Sequence, residues 1–157
     1  MARGNTIIVS SDPKGVFLEG TISGTPKPGT CMEISSFTLV GGRFTWQVYQ
    51  PGTDGEQRLV AVLLPQDESG QLVTTAYEDG QSGKMYVPQA GEELNMLLKN
   101  LSGTADDHTA GETLIIDTGT GMLIATTGSP ESEPFRLLET ITDPTADQLV
   151  WCQYTGY

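Results

Sequence analysis

Glycine and proline are scattered along the whole chain, and their spacing limits what the chain can fold into. The 157 residues include 19 glycines and 9 prolines, and the longest stretches free of both are about a dozen residues. Long helices have little room, because both residue types weaken or break a helix. The segments between them carry β-branched and aromatic residues, which is typical of strands. We therefore predict an all-β protein, a small barrel or sandwich with little or no helix.

The predicted strands are of two kinds. Residues 44–49 alternate apolar and polar side chains, as expected of a sheet with one buried face, and the alternation points Trp46 inward. Residues 59–64 are apolar throughout, so both faces of that strand should be covered, as in the centre of a sandwich or barrel. All predicted strands, in order, are 6–9, 16–22, 31–34, 44–49, 59–64, 84–87, 94–101, 113–117, 122–125, 135–140 and 149–154.

A short repeat decides between helix and strand for residues 90–100, which include many good helix formers. Ala-Gly-Glu-Glu-Leu at 90–94 recurs as Ala-Gly-Glu-Thr-Leu at 110–114, where the continuation Ile-Ile-Asp indicates a strand. We predict a glycine turn that leads into a strand, used twice in one small barrel. The sequence Thr-Gly-Thr-Gly at 118–121 predicts a tight hairpin turn, since glycine adopts positive φ readily.

Composition changes along the chain suggest three parts. Residues 1–30 are interrupted by prolines and glycines, which favours an extended N-terminal arm. Residues 31–87 are predicted to form a first β unit, and residues 88–157 a C-terminal unit that resembles a barrel.

The charge excludes several classes of partner. Eight basic and 20 acidic residues give a net charge of −12, which repels phosphate backbones and anionic lipid headgroups. We expect neither nucleic acid nor a membrane as a partner. No stretch reads as a secretory signal or a membrane span, so synthesis in a cytoplasm is expected. Cys31 and Cys152 match no metal or redox spacing, and their apolar neighbours favour buried free thiols over a bridge.

Catalytic and metal-binding patterns are incomplete. The single histidine, His108, follows Asp106 and Asp107, but no second histidine or suitably spaced cysteine completes a zinc site. A solvated loop tip is the favoured interpretation. The sequence from Asp117 to Gly121 lacks the later glutamate of a calcium-binding EF-hand, and Lys84 lacks the glycine spacing of a phosphate loop. We predict no enzymatic activity, no cofactor and no metal.

The C-terminus favours an interaction role. Residues 149–157 carry Trp151, Tyr154 and Tyr157, although a free terminus would ordinarily fray. Two explanations stay open: a last strand packed in its own barrel, or a subunit interface anchored by Tyr154 and Tyr157, since tyrosine is enriched at interfaces.

Several stretches, in order along the chain, resemble the small head proteins of tailed bacteriophages that are encoded beside the major capsid protein. The stretches are 17–30 (FLEGTISGTPKPGT), 74–77 (TTAY), 86–95 (YVPQAGEELN), 114–121 (LIIDTGTG) and 151–157 (WCQYTGY). They consist of turn and strand sequences and carry no catalytic motif.

The resemblance implies a head decoration, or cement, protein on the outer surface of the virion. Such a protein clamps neighbouring major capsid subunits, is commonly a small β-barrel or β-tulip domain, and associates as a homotrimer with extended N-terminal arms. For this chain we expect the arm to contact the capsid through six apolar residues, namely Ile7, Ile8, Val9, Val16, Phe17 and Leu18.

One alternative from another class is a head-fibre or carbohydrate- or receptor-binding β module of the virion. Exposed aromatic residues in a groove would favour that function, and Trp46 with Tyr49 is the nearest candidate cluster.

Overall fold

The computed structural model describes residues 7–38, 42–48, 59–66, 74–100, 107–117, 119–125, 134–142, 144 and 146–156. Over these ranges it contains strands, turns and bends but no helix, which confirms the all-β prediction. The strands are β1 (Val16–Ile22), β2 (Cys31–Thr38), β3 (Arg43–Val48), β4 (Ala61–Leu63), β5 (Ser82–Val87), β6 (Glu93–Leu98), β7 (Thr113–Ile116), β8 (Leu123–Ala125), β9 (Phe135–Leu137) and β10 (Gln148–Tyr154).

The strands close into two barrels. The first has the strand order β1-β3-β2-β4-β5, and β5 pairs with β1 to complete the ring. The second contains β6 to β10 in the order β10-β6-β8-β7-β9, and β9 pairs with β10. Closure leaves few free sheet edges, which is a common solution for small all-β folds.

The second barrel repeats the topology of the first. When β1 to β5 are matched in order with β6 to β10, every pairing in one barrel has its counterpart in the other. One pair in each barrel is parallel, β1 with β3 and β6 with β8, and the remaining pairs are antiparallel. The registers also agree: Ile22–Trp46 corresponds to Leu98–Leu123, and Leu63–Met85 corresponds to Leu137–Cys152. The chain is therefore an internal duplication of one five-stranded barrel.

The interiors of the two barrels are filled differently. Trp46 is fully buried in the first barrel, as the alternation of its strand predicted, and a Cβ on Gly20 would lie 2.5 Å from its Nε1 atom. The register places Met96 and Leu123 at the corresponding positions of the second barrel. A glycine with a tryptophan thus replaces two medium-sized side chains, which conserves the packed volume of the interior.

β4 contributes to two hydrophobic cores, one on each of its faces. Ala61 and Leu63 face the interior of the first barrel, whereas Val60 and Val62 pack with the residues that fill the second. Because the strand is buried on both faces, it needs the uninterrupted apolar sequence from which this arrangement was predicted. Cys31 and Cys152 lie in the same core as free, buried thiols, as expected. Burial raises the pKa of each thiol, so both stay protonated.

Among the described residues, the repeated glycine turn occurs in four places. In each, a glycine with φ between 81° and 96° is followed by a residue whose N–H donates to the carbonyl three positions earlier, which is the geometry of a type II turn. Two of these turns, at Gly91 and Gly111, lead into β6 and β7 and confirm the prediction made from the repeat. The other two, at Gly29 and Gly80, lead into β2 and β5 of the first barrel. Gly119 and Gly121 also have positive φ, as the predicted hairpin requires.

The predicted N-terminal arm of residues 1–30 differs from the structure. Val16–Ile22 is β1, which pairs with both β3 and β5, and the first barrel cannot close without it. Apart from Gly20 within β1, the described prolines and glycines of residues 1–30 lie before and after this strand. Of residues 7–30, those before β1 run outside the first barrel, and there the described part of the predicted strand at 6–9 is reduced to a bridge between Ile8 and Leu94 of β6.

Candidate interaction surface

The six predicted contact residues fall into two groups. Ile7 is 2% exposed and belongs to the core of the second barrel, and Ile8 and Val9 are half-buried beside it. Leu18 is half-buried against the core of the first barrel. Val16 and Phe17 are each 55% exposed, and they begin β1. These two side chains are available to a partner, whereas the fold has already covered Ile7.

The Phe17 side chain packs against the buried side chain of Tyr86. Its ring packs on that of Tyr86 with a centroid distance of 4.9 Å, and Tyr86 is fully buried. The Tyr86 hydroxyl donates to Glu92 Oε1 at 2.7 Å and accepts from the N–H of Gly15 at 2.8 Å. Burial and the nearby Glu92 carboxylate raise the pKa of Tyr86 to about 12, so this hydroxyl keeps its proton. The exposed Phe17 ring therefore packs on the buried Tyr86 ring, whose position is fixed by the hydrogen bonds of its hydroxyl.

Glu92 organises this region from within. Only 7% of the residue is exposed. Its carboxylate accepts hydrogen bonds from the Tyr86 hydroxyl, from the N–H of Lys14 at 2.5 Å and from the N–H of Gln89 at 2.7 Å. Burial by itself would raise the pKa of Glu92, but these donors favour the ionised form and hold the pKa below its usual value. One carboxylate therefore connects the N-terminal segment, the first barrel and the link to the second.

The pKa of Glu92 gives the fold a pH dependence with a definite sign. Because its pKa is lower in the folded state, Glu92 stabilises the protein above the unfolded-state pKa, and this contribution is lost as the pH falls through the folded-state pKa. We expect urea midpoints measured between about pH 7 and pH 3 to decrease less in Glu92→Gln than in wild type, once each is normalised to its value at neutral pH. An equal acid-induced decrease would show that other carboxylates account for the loss.

Glu112 supplies a matched control for that experiment. It occupies the position of Glu92 in the repeated turn, but its side chain is 31% exposed and contacts His108 Nδ1 at 3.2 Å and the N–H of Thr109 at 3.3 Å. Glu112→Gln makes the same carboxylate-to-amide change at a partly exposed side chain, so it controls for the substitution itself at this place in the turn.

The edge of β1 near Phe17 is paired on one side. β5 pairs with β1 from Val16 to Thr21, whereas β3 pairs with it only from Gly20 to Ile22. Across the ranges that the structure describes, no strand pairs with residues 17–19 on the β3 side. An exposed edge with apolar residues is a typical site for association with another chain.

Of the two tyrosines predicted to anchor a subunit interface, the structure describes only Tyr154. Tyr154 is 8% exposed, and its ring packs on Phe135 with a centroid distance of 5.3 Å. A subunit contact through Tyr154 would need a ring that the second barrel has already covered, so the alternative of a last strand packed in its own barrel fits this residue. Tyr157 lies outside the described residues.

The residues considered for chemistry are held by local contacts. His108 pairs with Glu112 as described above, Asp107 is exposed, and Asp106 lies outside the described residues. Asp117 accepts from Lys99 Nζ at 2.8 Å and from the Thr120 hydroxyl at 2.5 Å, so its carboxylate fixes the hairpin turn. Within the described ranges, no group of three or more His, Cys, Asp or Glu side chains could hold a metal ion.

A groove of about 290 Å³ lies between the barrels. Its lining includes Lys27, Thr120 and Asp147, but no aromatic side chain. Trp46, proposed for sugar stacking in the carbohydrate-binding alternative, is fully buried, and Tyr49 lies outside the described residues. No observation on this surface therefore favours the carbohydrate- or receptor-binding alternative.

Glu92 and the β1 edge were not identified from the sequence. The glutamate that follows the glycine in both copies of the pentad was a usable signal for Glu92, since a carboxylate there can accept the N–H of the residue three positions earlier. The unpaired edge had no such signal, because it depends on where β3 begins relative to β1.

Comparison with known proteins leaves the chain unassigned: no protein-family model matches it, and no curated protein matches it significantly. In the part of the chain that the structure describes, there is no helix with the length and apolar character to span a membrane.

Proposed function

We propose that this chain is a structural virion protein that binds the outer surface of an icosahedral phage capsid. It stabilises the shell by bridging neighbouring major capsid subunits, and it acts without a cofactor or a catalytic step. Copies associate as a homotrimer, so that several weak contacts to the shell are made together and reinforce each other through avidity. In this role the protein is made in the bacterial cytoplasm and resides on the outside of the virion.

One observation carries the proposal. Of the exposed pair Val16 and Phe17, Phe17 begins the stretch 17–30, the longest stretch on which the resemblance to decoration proteins rests, and Val16 immediately precedes it. Apolar side chains that are half exposed on a rigid strand contribute most when a partner buries them, because little conformational entropy is lost on binding.

The charge and the fold are compatible with this role. A net charge of −12 keeps many copies soluble on one surface and does not attract the packaged genome. Two barrels whose cores both include residues of β4 also suit a clamp, because the shared strand ties one barrel to the other.

The direct test removes the exposed apolar pair. We expect the double variant Val16→Ser/Phe17→Ser to bind purified shells with an affinity reduced about tenfold or more, because burying two half-exposed apolar side chains contributes roughly 1.4 kcal/mol or more. Occupancy is measured by quantitative gel densitometry of shells after sedimentation.

Ile34→Ser is the matched control. Ile34 is 38% exposed and lies on β2, away from the start of β1. Its replacement should leave occupancy at the wild-type value, and circular dichroism should show that both variants are folded. Wild-type occupancy of the double variant would exclude this pair as the capsid contact.

A further inference from the structure

Because the two barrels share one topology, they can be compared position by position. The informative place is where the parallel strand pair of each barrel stops pairing and leaves part of one strand without a neighbour on that side. In the second barrel, β6 and β8 pair only at Leu98 and Leu123, so the first half of β6 lacks a partner from its own barrel on that side. The N-terminal segment fills this gap: Val9 N–H donates to Glu93 O at 3.0 Å, and Asn95 N–H donates to Ile7 O at 2.7 Å. The added strand runs antiparallel to β6, with Ile8 opposite Leu94.

This added segment also completes the core of the second barrel. Ile7 is 2% exposed and packs among the buried residues there, and the Ser10 hydroxyl accepts the N–H of Glu93 at 2.9 Å. A short extended segment with apolar side chains is thus sufficient to close the gap.

The corresponding gap in the first barrel is open among the described residues. The register that matches Ile22 with Leu98 places Phe17 and Glu19 at the positions of Glu93 and Asn95. The Phe17 carbonyl and the Glu19 N–H therefore correspond to the two groups that bind the N-terminal segment in the second barrel. No bond from a described residue to either group is found on that side.

The side chains around this gap are incompletely covered as well. Leu18, Phe44 and Val87 are only partly buried against the core of the first barrel, and Val16 and Phe17 are exposed beside them. In the second barrel, Ile7 supplies the apolar cover at the equivalent place. Glu19 is exposed at the same edge, opposite Lys84 of β5, and its carboxylate would also favour a basic side chain on an incoming segment.

We propose that residues 17–19 of β1 form a strand-acceptor site, and that its occupant is an extended segment of the major capsid subunit. The segment adds antiparallel to β1, accepts from the Glu19 N–H, donates to the Phe17 carbonyl, and carries an apolar residue that covers Leu18 and Phe44 with a basic residue near Glu19. The identity of the occupant rests on the proposed capsid function, whereas the acceptor geometry rests on the duplication alone.

The acceptor geometry is tested first, with a peptide. The probe is the heptapeptide Asn-Thr-Ile-Ile-Val-Ser-Ser, the sequence of residues 5–11, titrated into the full-length protein and followed by amide chemical shifts. We expect shifts concentrated at residues 17–19 and at Phe44. Shifts absent from this edge at saturating peptide would overturn the acceptor site, whatever the protein does on a capsid.

Glu19→Pro and Glu19→Gln form a matched pair of variants. Proline removes the N–H that the incoming strand needs, while glutamine keeps it and removes only the charge. Peptide binding should be lost in Glu19→Pro and retained in Glu19→Gln. In the wild-type protein, hydrogen exchange at the Glu19 amide should slow when the peptide binds, a measurement that does not depend on how the proline variant folds.

The occupant is tested on shells. If the capsid subunit supplies the strand, Glu19→Pro should lower shell occupancy about tenfold or more relative to Glu19→Gln, and the Glu19 amide should be protected on shells. Peptide binding without any effect of Glu19→Pro on shells would retain the acceptor site and overturn the capsid subunit as its occupant. Concentration-dependent self-association that is lost in Glu19→Pro would assign the edge to a second copy and would also overturn that occupant.

Discussion

Glu92→Ala is expected to lower the free energy of unfolding by about 2–3 kcal/mol, because one buried donor and two partly buried donors lose a charged acceptor. These donors are the Tyr86 hydroxyl and the N–H groups of Lys14 and Gln89. The Tyr86 hydroxyl would be left buried without its acceptor, and the N-terminal segment would lose the bond from Lys14 while keeping that from Gly15 to Tyr86. Urea unfolding at neutral pH, followed by tryptophan fluorescence, measures the loss.

Glu112→Ala is the control for this variant. The two glutamates occupy the same place in the repeated turn, but Glu112 is partly exposed and makes longer contacts. Its replacement should cost about 1 kcal/mol or less. Equal losses for the two variants would mean that the turn itself, and not the buried network, determines the effect of Glu92.

Trp46→Ala is expected to cost about 3–5 kcal/mol, since it empties the interior of the first barrel at a position with no exposed surface. Gly20 leaves room for the indole, since a Cβ there would lie 2.5 Å from Nε1. Chemical denaturation followed by circular dichroism measures this loss, because the substitution also removes a fluorophore.

Trp46→Phe separates packing from hydrogen bonding at the same position. The indole Nε1 is buried and makes no hydrogen bond to any described residue, so phenylalanine removes an unpaired donor together with part of the ring. The two effects oppose each other, and the variant should unfold within about 1 kcal/mol of wild type. A loss as large as that of Trp46→Ala would show that Nε1 has a partner, such as a buried water molecule.

The positions of several strands could be predicted closely because a glycine turn leads into them, as at β2, β5, β6 and β7. The prediction for 16–22 matches β1, and the apolar run at 59–64 correctly indicated a strand buried on both faces. The preference for strand over helix at β6 is also confirmed, since the repeated pentad placed a turn immediately before it. Local sequence was sufficient in these cases because turn chemistry sets the boundaries.

The duplication could not be predicted, because the two barrels share topology and register but not side chains. Trp46 corresponds to Leu123, and Gly20 corresponds to Met96. Interiors tolerate such exchanges when the total volume is maintained, so sequence similarity disappears while the fold persists. One pair of turn glycines is kept, Gly29 before β2 and Gly111 before β7, because positive φ restricts the choice of residue.

The exposure of individual residues on the candidate surface could not be predicted from the sequence either. Ile7 and Phe17 are both apolar residues near the N-terminus, and their sequence contexts gave no reason to separate them. The structure buries Ile7 at the edge of β6 and leaves Phe17 exposed on β1, a difference that depends on contacts between segments about 80 residues apart in the chain.

The central claim, that this chain is a capsid decoration protein, is tested most directly by its copy number. Virions of the phage that encodes it are purified, and the chain is quantified against the major capsid protein by mass spectrometry, together with the thermal stability of shells that contain or lack it. We predict hundreds of copies per particle, of the same order as the capsid subunits, and a lower melting temperature for shells without it. A handful of copies per particle, with unchanged shell stability, would contradict the proposal.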